Sequence, residues 1–121
     1  MKSPRVTAKD VLIPLVTSES FEELVLNAEG PIAVEFMSYS CGYCRTMEPI
    51  LKEVAEMLGT TEKIFRVNLA TDQELGDRYN IQGTPTFAMF LNGEKVGQSD
   101  GPNPTISDVL SAVAQPFQEL R

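Results

Sequence analysis

Apolar positions along the chain fall into two rhythms. Pro31–Met37 (PIAVEFM) is a nearly continuous apolar run, the pattern of a strand covered on both faces, with Glu35 as its single charge. From Cys41 to Leu58 the period becomes helical. Met47, Ile50, Leu51, Val54, Ala55 and Leu58 form one stripe, while Glu48, Lys52, Glu53 and Glu56 lie mostly elsewhere. Pro49 should kink that helix and Gly59 should cap it. Lys63–Leu69 and Thr86–Leu91 read as strands. Asn92-Gly93 is a strong hairpin signal, which makes Glu94–Gln98 the returning strand. Ser20 with Glu23, and Thr71 with Glu74, fit capping boxes that open helices over Phe21–Ala28 and up to about Tyr79. A last helix is predicted from Thr105 to Leu120. Val11–Val16 is β-branched but holds Pro14, which suits a short edge strand. Residues 1–10 read as a loose arm. The predicted order β-α-β-α-β-α-β-β-α makes residues 11–121 one α/β domain. Its central mixed sheet should have about five strands, flanked by about four helices.

Composition removes several kinds of chemistry. The chain has 121 residues, which suits one domain, and a net charge of −7, which disfavours a phosphate-neutralising surface and hence nucleic-acid binding. It has no His, so triads and Cys–His pairs with a histidine base are excluded. Two Cys without His cannot close a zinc site within one chain, so no metal is expected. No apolar run approaches the ~20 residues of a bilayer span. Met1-Lys2-Ser3-Pro4-Arg5 is followed by no long apolar stretch, so no secretory signal is visible. The expected compartment is the cytoplasm, or the periplasm if a signal has been removed.

Cys41-Gly42-Tyr43-Cys44 dominates what remains. It lies between an apolar strand and an amphipathic helix. With Cys41 as N-cap, Cys44 is the third helical residue, one turn away and within reach for a disulfide that can open and close. Unsatisfied N–H groups and partial positive charge at the helix start favour a thiolate, which makes Cys41 the nucleophile. The alternative is a pair of inert buried cysteines or a static disulfide. Glu35, a carboxylate in so apolar a run, should be paired or have a raised pKa. It leads Cys41 by six positions, which favours a proton-transfer role; otherwise it faces water from an edge strand. Arg66 is either an exposed charge or an electrostatic partner of Glu35. Tyr43 is either a solvent-facing aromatic or a substrate contact. Met47, Met57 and Met89 read as core filler.

Several signals occur in order: Glu35, Cys41-Gly42-Tyr43-Cys44, Pro49, Gly83-Thr84-Pro85-Thr86, Asn92-Gly93 and Gly101. On these residues the chain resembles the thioredoxin family from about Val11 to Leu120. The resemblance implies a thioredoxin-like fold with a cis Pro85 facing the cysteines. It implies that the Thr84 backbone pairs with an extended substrate segment on a rim that includes Gly83 and Gly101. It makes Glu35 a proton relay to Cys44, with Arg66 where the family often has a lysine. Thioredoxins proper usually carry Trp-Cys-Gly-Pro-Cys. Here Ser40 precedes Cys41, Met37 stands where the family has another Trp, and Asp100 stands where it usually has an apolar residue. Cys-Gly-Tyr-Cys with a Thr before the proline is instead similar to bacterial periplasmic disulfide isomerases, whose separate dimerisation domain does not fit in this length.

These residues predict a monomeric thiol–disulfide oxidoreductase acting on protein disulfides. It needs no bound cofactor beyond a redox-active Cys41–Cys44 pair and draws electrons from a thioredoxin-reductase-type donor. A disulfide isomerase or oxidase is the alternative within that chemistry. Outside it stand a module in which two chains share a cluster or metal through Cys41 and Cys44, and a redox-silent module that binds extended peptides.

Overall fold

A computed structural model of the chain describes residues 11–120; the arm predicted at 1–10 lies outside them. Four strands form one mixed sheet: β1 (Pro31–Met37), β2 (Lys63–Asn68), β3 (Thr86–Leu91) and β4 (Glu94–Asp100), in the order β2-β1-β3-β4. β1 runs parallel to β2 and antiparallel to β3, and β4 returns antiparallel to β3. The helices are α1 (Gly42–Leu58), α2 (Gln73–Arg78) and α3 (Ile106–Gln118), preceded by a π-helical segment, Glu22–Leu26.

The expected fifth strand shrinks to a single parallel bridge between Leu15 and Arg66. Its bonds are Arg66 N–H to the Pro14 carbonyl (2.9 Å) and Val16 N–H to the Arg66 carbonyl (2.8 Å). Pro14 accepts there but has no N–H to extend the ladder. The first capping box does not form. Phe21 takes the N-cap position without a side-chain bond, and the Asn27 N–H reaches five residues back to Glu22. Ser20 instead accepts from the Thr17 N–H at 3.0 Å. In the second, Asp72 rather than Thr71 caps α2, and it also accepts from the Ser18 N–H at 2.6 Å. α1 passes through Pro49 unbroken. The Asn92-Gly93 turn has positive φ at both positions, 51° and 84°. A Cβ on Gly93 would also lie 2.2 Å from the Leu26 carbonyl oxygen, so only glycine fits.

Alternation along the strands divides the core. Ile32, Val34 and Phe36 of β1, with Phe65 and Val67 of β2, pack with Phe21, Val25 and Leu75 on one face. Ala33 and Ile64 pack with Met47, Leu51, Val54, Val109 and Val113 on the face covered by α1 and α3. Glu35 follows Ala33 by two residues and Arg66 follows Ile64 by two. The period of the strand therefore turns both charged side chains toward α1, the helix that starts at the cysteines. Met47 and Met89 are buried as expected; Met57 is 57% exposed and fills no core.

Candidate active site

The topology gathers three backbone segments. β1 ends at Met37, and Ser38-Tyr39-Ser40 leads into Cys41, the N-cap of α1. Thr86 of β3 pairs with Phe36 on one side and Asp100 on the other, which sets Thr84-Pro85 and Gly101 beside the end of β1. The Gly101 N–H donates to the Pro85 carbonyl at 2.8 Å, and the Thr84-Pro85 bond is cis. Gly101 has φ of +53°, a conformation that favours glycine.

Both cysteines are thiols, Cys41 half-buried and Cys44 buried. The Cys44 N–H donates to the Cys41 sulfur at 3.2 Å, and the Cys41 thiol points at the Thr84 carbonyl oxygen, 3.6 Å away. Burial pulls the Cys41 pKa up. Hydrogen bonding with the Cys44 side chain and Thr84, and with the N–H groups of Cys44 and Tyr43, outweighs that and lowers it. Burial, with the Cys41 hydrogen bond, pushes the Cys44 thiol up to about 11. The two sulfurs are thus unequal. One is reachable and tends toward thiolate; the other is covered and needs a base.

Glu35 is 1% exposed, and neither carboxyl oxygen has a hydrogen-bond partner. Burial pushes its carboxyl up to about 7, with Arg66 pulling down and Glu48 pushing up. Arg66 is buried, which removes the exposed reading of it. Its Nε stands 3.9 Å from Glu35 Oε1, while its Nη2 lies between the two oxygens of Glu48 at 2.8 and 2.9 Å. Glu48 is the group that sequence reasoning missed. It is polar on a polar face, and only the packing of α1 over β2 reveals its partner. A cavity of about 130 Å³ lined by Met37, Tyr39, Cys44, Arg45, Glu48 and Arg66 joins Glu48 and Arg66 to Cys44.

Tyr43 is not a free aromatic. Its Oη donates to the Pro102 carbonyl at 2.6 Å, and its ring lies against Gly101. Ser40 bonds to Ser38, Oγ to Oγ at 2.9 Å, and not to either cysteine. Gly42 is exposed at the start of α1. Gly83 has open space where a Cβ would stand, and its carbonyl accepts from the Thr86 hydroxyl at 2.7 Å. Arg45, also missed, ties its guanidinium to the Tyr39 carbonyl at 2.9 Å. Among the described residues no group of three or more His, Cys, Asp or Glu side chains is arranged to hold a metal ion, and no helix is long and apolar enough to cross a membrane.

A thiol at a helix N-terminus, a second thiol one turn later and a proline loop opposite are an arrangement suited to thiol–disulfide exchange. The family model described as Thioredoxin matches residues 12–114, and the chain belongs to the thioredoxin family, a family of thiol–disulfide oxidoreductases. It is 35% identical over 89 residues to the thioredoxin of Rhodospirillum rubrum, covering 74% of this chain and 86% of that protein. It is 36% identical over 88 residues to the chloroplastic thioredoxin Y of Oryza sativa subsp. japonica, covering 73% of this chain and 52% of that one. It is 29% identical over 103 residues to a probable protein disulfide-isomerase A6 of Medicago sativa, covering 84% of this chain and 28% of that one. The chain thus spans about half the length of the rice relative and less than a third of the Medicago one.

Proposed function

We infer that the chain exchanges disulfides with protein substrates through Cys41 and Cys44, and that residues 11–121 form the domain that does so. The Cys41 thiolate attacks a substrate disulfide, forming a mixed disulfide and expelling the substrate's other sulfur as a thiolate. Cys44 then attacks the Cys41 sulfur, its proton passing to Glu35. The two substrate thiolates take up protons from solvent, the substrate leaves as a dithiol and the Cys41–Cys44 disulfide remains. A reductase-type donor returns two electrons to that disulfide, and no bound cofactor takes part. Thr84, Pro85, Gly83 and Gly101 form the rim along which an extended substrate segment lies. Ser40, Gly42 and Tyr43 form the loop beside it, and Arg66 tunes Glu35. The expected state is a monomer in the cytoplasm.

The observation that carries this reading is the Cys44 N–H on the Cys41 sulfur, which makes Cys41 the better thiolate, and Cys41 is also the less buried of the two. Limiting iodoacetamide should therefore label Cys41 first. Cys44→Ser should trap mixed disulfides with substrates and Cys41→Ser should not. Preferential labelling of Cys44 would overturn the assignment. A second reading, an exchange partner more oxidising than thioredoxin as in disulfide isomerases, is favoured by the Tyr43 N–H, which a proline at that position lacks.

A further inference from the structure

We propose that Glu48 is a positioning residue for this exchange: its carboxylate holds the Arg66 guanidinium off Glu35, leaving the Glu35 carboxyl free to take and release a proton. The proposal rests on Glu35 as the acceptor of the Cys44 proton, the reading given above.

The β1–β2 register pairs Glu35 with Arg66, and both side chains turn under α1. An arginine fork next to a buried carboxylate would by itself close into a bidentate pair with two parallel N–H···O bonds. That pair does not form. Arg66 commits Nη2 to both Glu48 oxygens, at 2.8 and 2.9 Å. Its Nε, 3.9 Å from Glu35, makes no hydrogen bond, and neither do the two Glu35 oxygens. Glu48 stands four residues after Cys44 on α1, so the two share a helix face and the same small cavity. Its side chain is 27% exposed, so it is the member of the cluster that meets solvent.

The charged and titratable groups around Glu35 are few. β2 supplies Arg66. α1 supplies Glu48, with the Lys52 ammonium 4.0 Å beyond it, and Cys44 lines the same cavity as Glu48 and Arg66. β3 supplies Phe87 in register and has no charged residue. Closed onto Arg66, Glu35 would be held as a carboxylate and would be a poor acceptor near neutral pH. With Arg66 drawn to Glu48, burial dominates instead, which agrees with the raised pKa of Glu35. During resolution the Cys44 proton moves to Glu35, the Cys44–Cys41 S–S bond forms, and the bond from Cys41 to the substrate sulfur breaks. Its electron pair leaves on the substrate thiolate.

The test is a ¹³C NMR titration of the Glu35 carboxyl carbon in the dithiol protein. In Glu48→Gln the midpoint should move toward acid by about one pH unit or more, as expected when a guanidinium closes on a carboxylate. Glu48→Asp should keep it near the wild-type value. An unchanged or more alkaline midpoint in Glu48→Gln overturns the proposal. In an Arg66→Met background, Glu48→Gln should move the midpoint by less than it does in the wild type. An equal movement would mean that Glu48 acts through its own charge alone, and would also overturn it. If Arg66→Met does not fold, Arg66→Lys, which keeps the charge but lacks the fork, takes its place, and an unchanged or more alkaline midpoint in Glu48→Gln still overturns the proposal. The titration reads Glu35 without any substrate. A Glu35→Gln protein that resolves mixed disulfides as fast as the wild type would remove the relay reading, whereas the titration alone judges what Glu48 does to Glu35.

Discussion

Two buried carboxyls sit at opposite ends of the same sheet. Glu35, toward the end of β1, is pushed up to about 7, and Glu62, just before β2 begins, is pushed up to about 8. Both have oxygens without hydrogen-bond partners. Their surroundings differ. Glu35 stands beside Arg66, which lines a cavity shared with a buried thiol. Glu62 is raised by burial alone, beside a hollow of about 390 Å³ lined by Leu24, Ala28, Pro31, Thr61 and Phe65 among others. A raised pKa therefore does not itself mark a site. What sets Glu35 apart is the cation beside it, which lines a cavity shared with a buried thiol.

The sharpest way to break this comparison is kinetic. Glu35→Gln should slow resolution by Cys44 about 10²-fold or more, the usual range for a lost general base, with a smaller effect on the first attack by Cys41. Glu62→Gln should change neither step. Single-turnover release of the substrate thiol after rapid mixing measures both. Equal slowing by the two substitutions would erase the distinction between the two ends of the sheet.

Stability should treat the two carboxyls alike. A folded pKa above the unfolded one means that the native state binds more protons, so stability is fully present below about pH 4.5 and is lost as pH rises. Glu35 should cost about 3 kcal/mol by the time pH passes 7, its folded value. Glu62 should add a further loss up to about pH 8. Urea unfolding between pH 4.5 and 8.5 should show that decline. Glu62→Gln should flatten its alkaline part without altering exchange. A stability curve that is flat or rising over this range would mean that neither carboxyl is buried as described.

The sequence carried much of one end of the sheet and little of the other. β1 was legible with its bounds because seven consecutive residues covered on both faces leave an apolar run, and Cys41 was legible as N-cap because the helical period starts just after it. The burial of Glu35 followed from the same run. Glu48 was not legible: its partner is 18 residues away on a strand, and an acid on the polar side of a helix looks solvated until that strand is packed beneath it. Glu62 follows Thr60 and Thr61 in a polar connection with no period, so nothing local reveals that it is covered. The caps failed for a similar reason. Thr71 and Asp72 both suit a helix start, and Asp72 takes the position while also bonding the Ser18 N–H, a contact 54 residues away.

The smallest effect concerns Cys41 and leaves both carboxyls in place. The N–H groups of Cys44 and Tyr43 both favour the Cys41 thiolate, and the Cys44 N–H lies 3.2 Å from the sulfur. Tyr43 is the second residue of α1, where proline is tolerated because no intrahelical bond uses its N–H. Tyr43→Pro should therefore keep the helix, remove one donor and raise the Cys41 pKa. The dithiol form loses that stabilisation, so the couple becomes more reducing. A hydrogen bond to a charged group is worth about 1.5 kcal/mol, which for two electrons corresponds to a fall of about 30 mV. The proline variant also loses the Tyr43 hydroxyl bond to Pro102, so Tyr43→Phe is the necessary control. Phe keeps the N–H and should leave the potential within a few millivolts, on the order of experimental scatter. Equilibration against glutathione buffers reads all three proteins. A fall in both variants would place the control of the potential in the Pro102 contact, and a fall in neither would remove the N–H from the account of Cys41 reactivity.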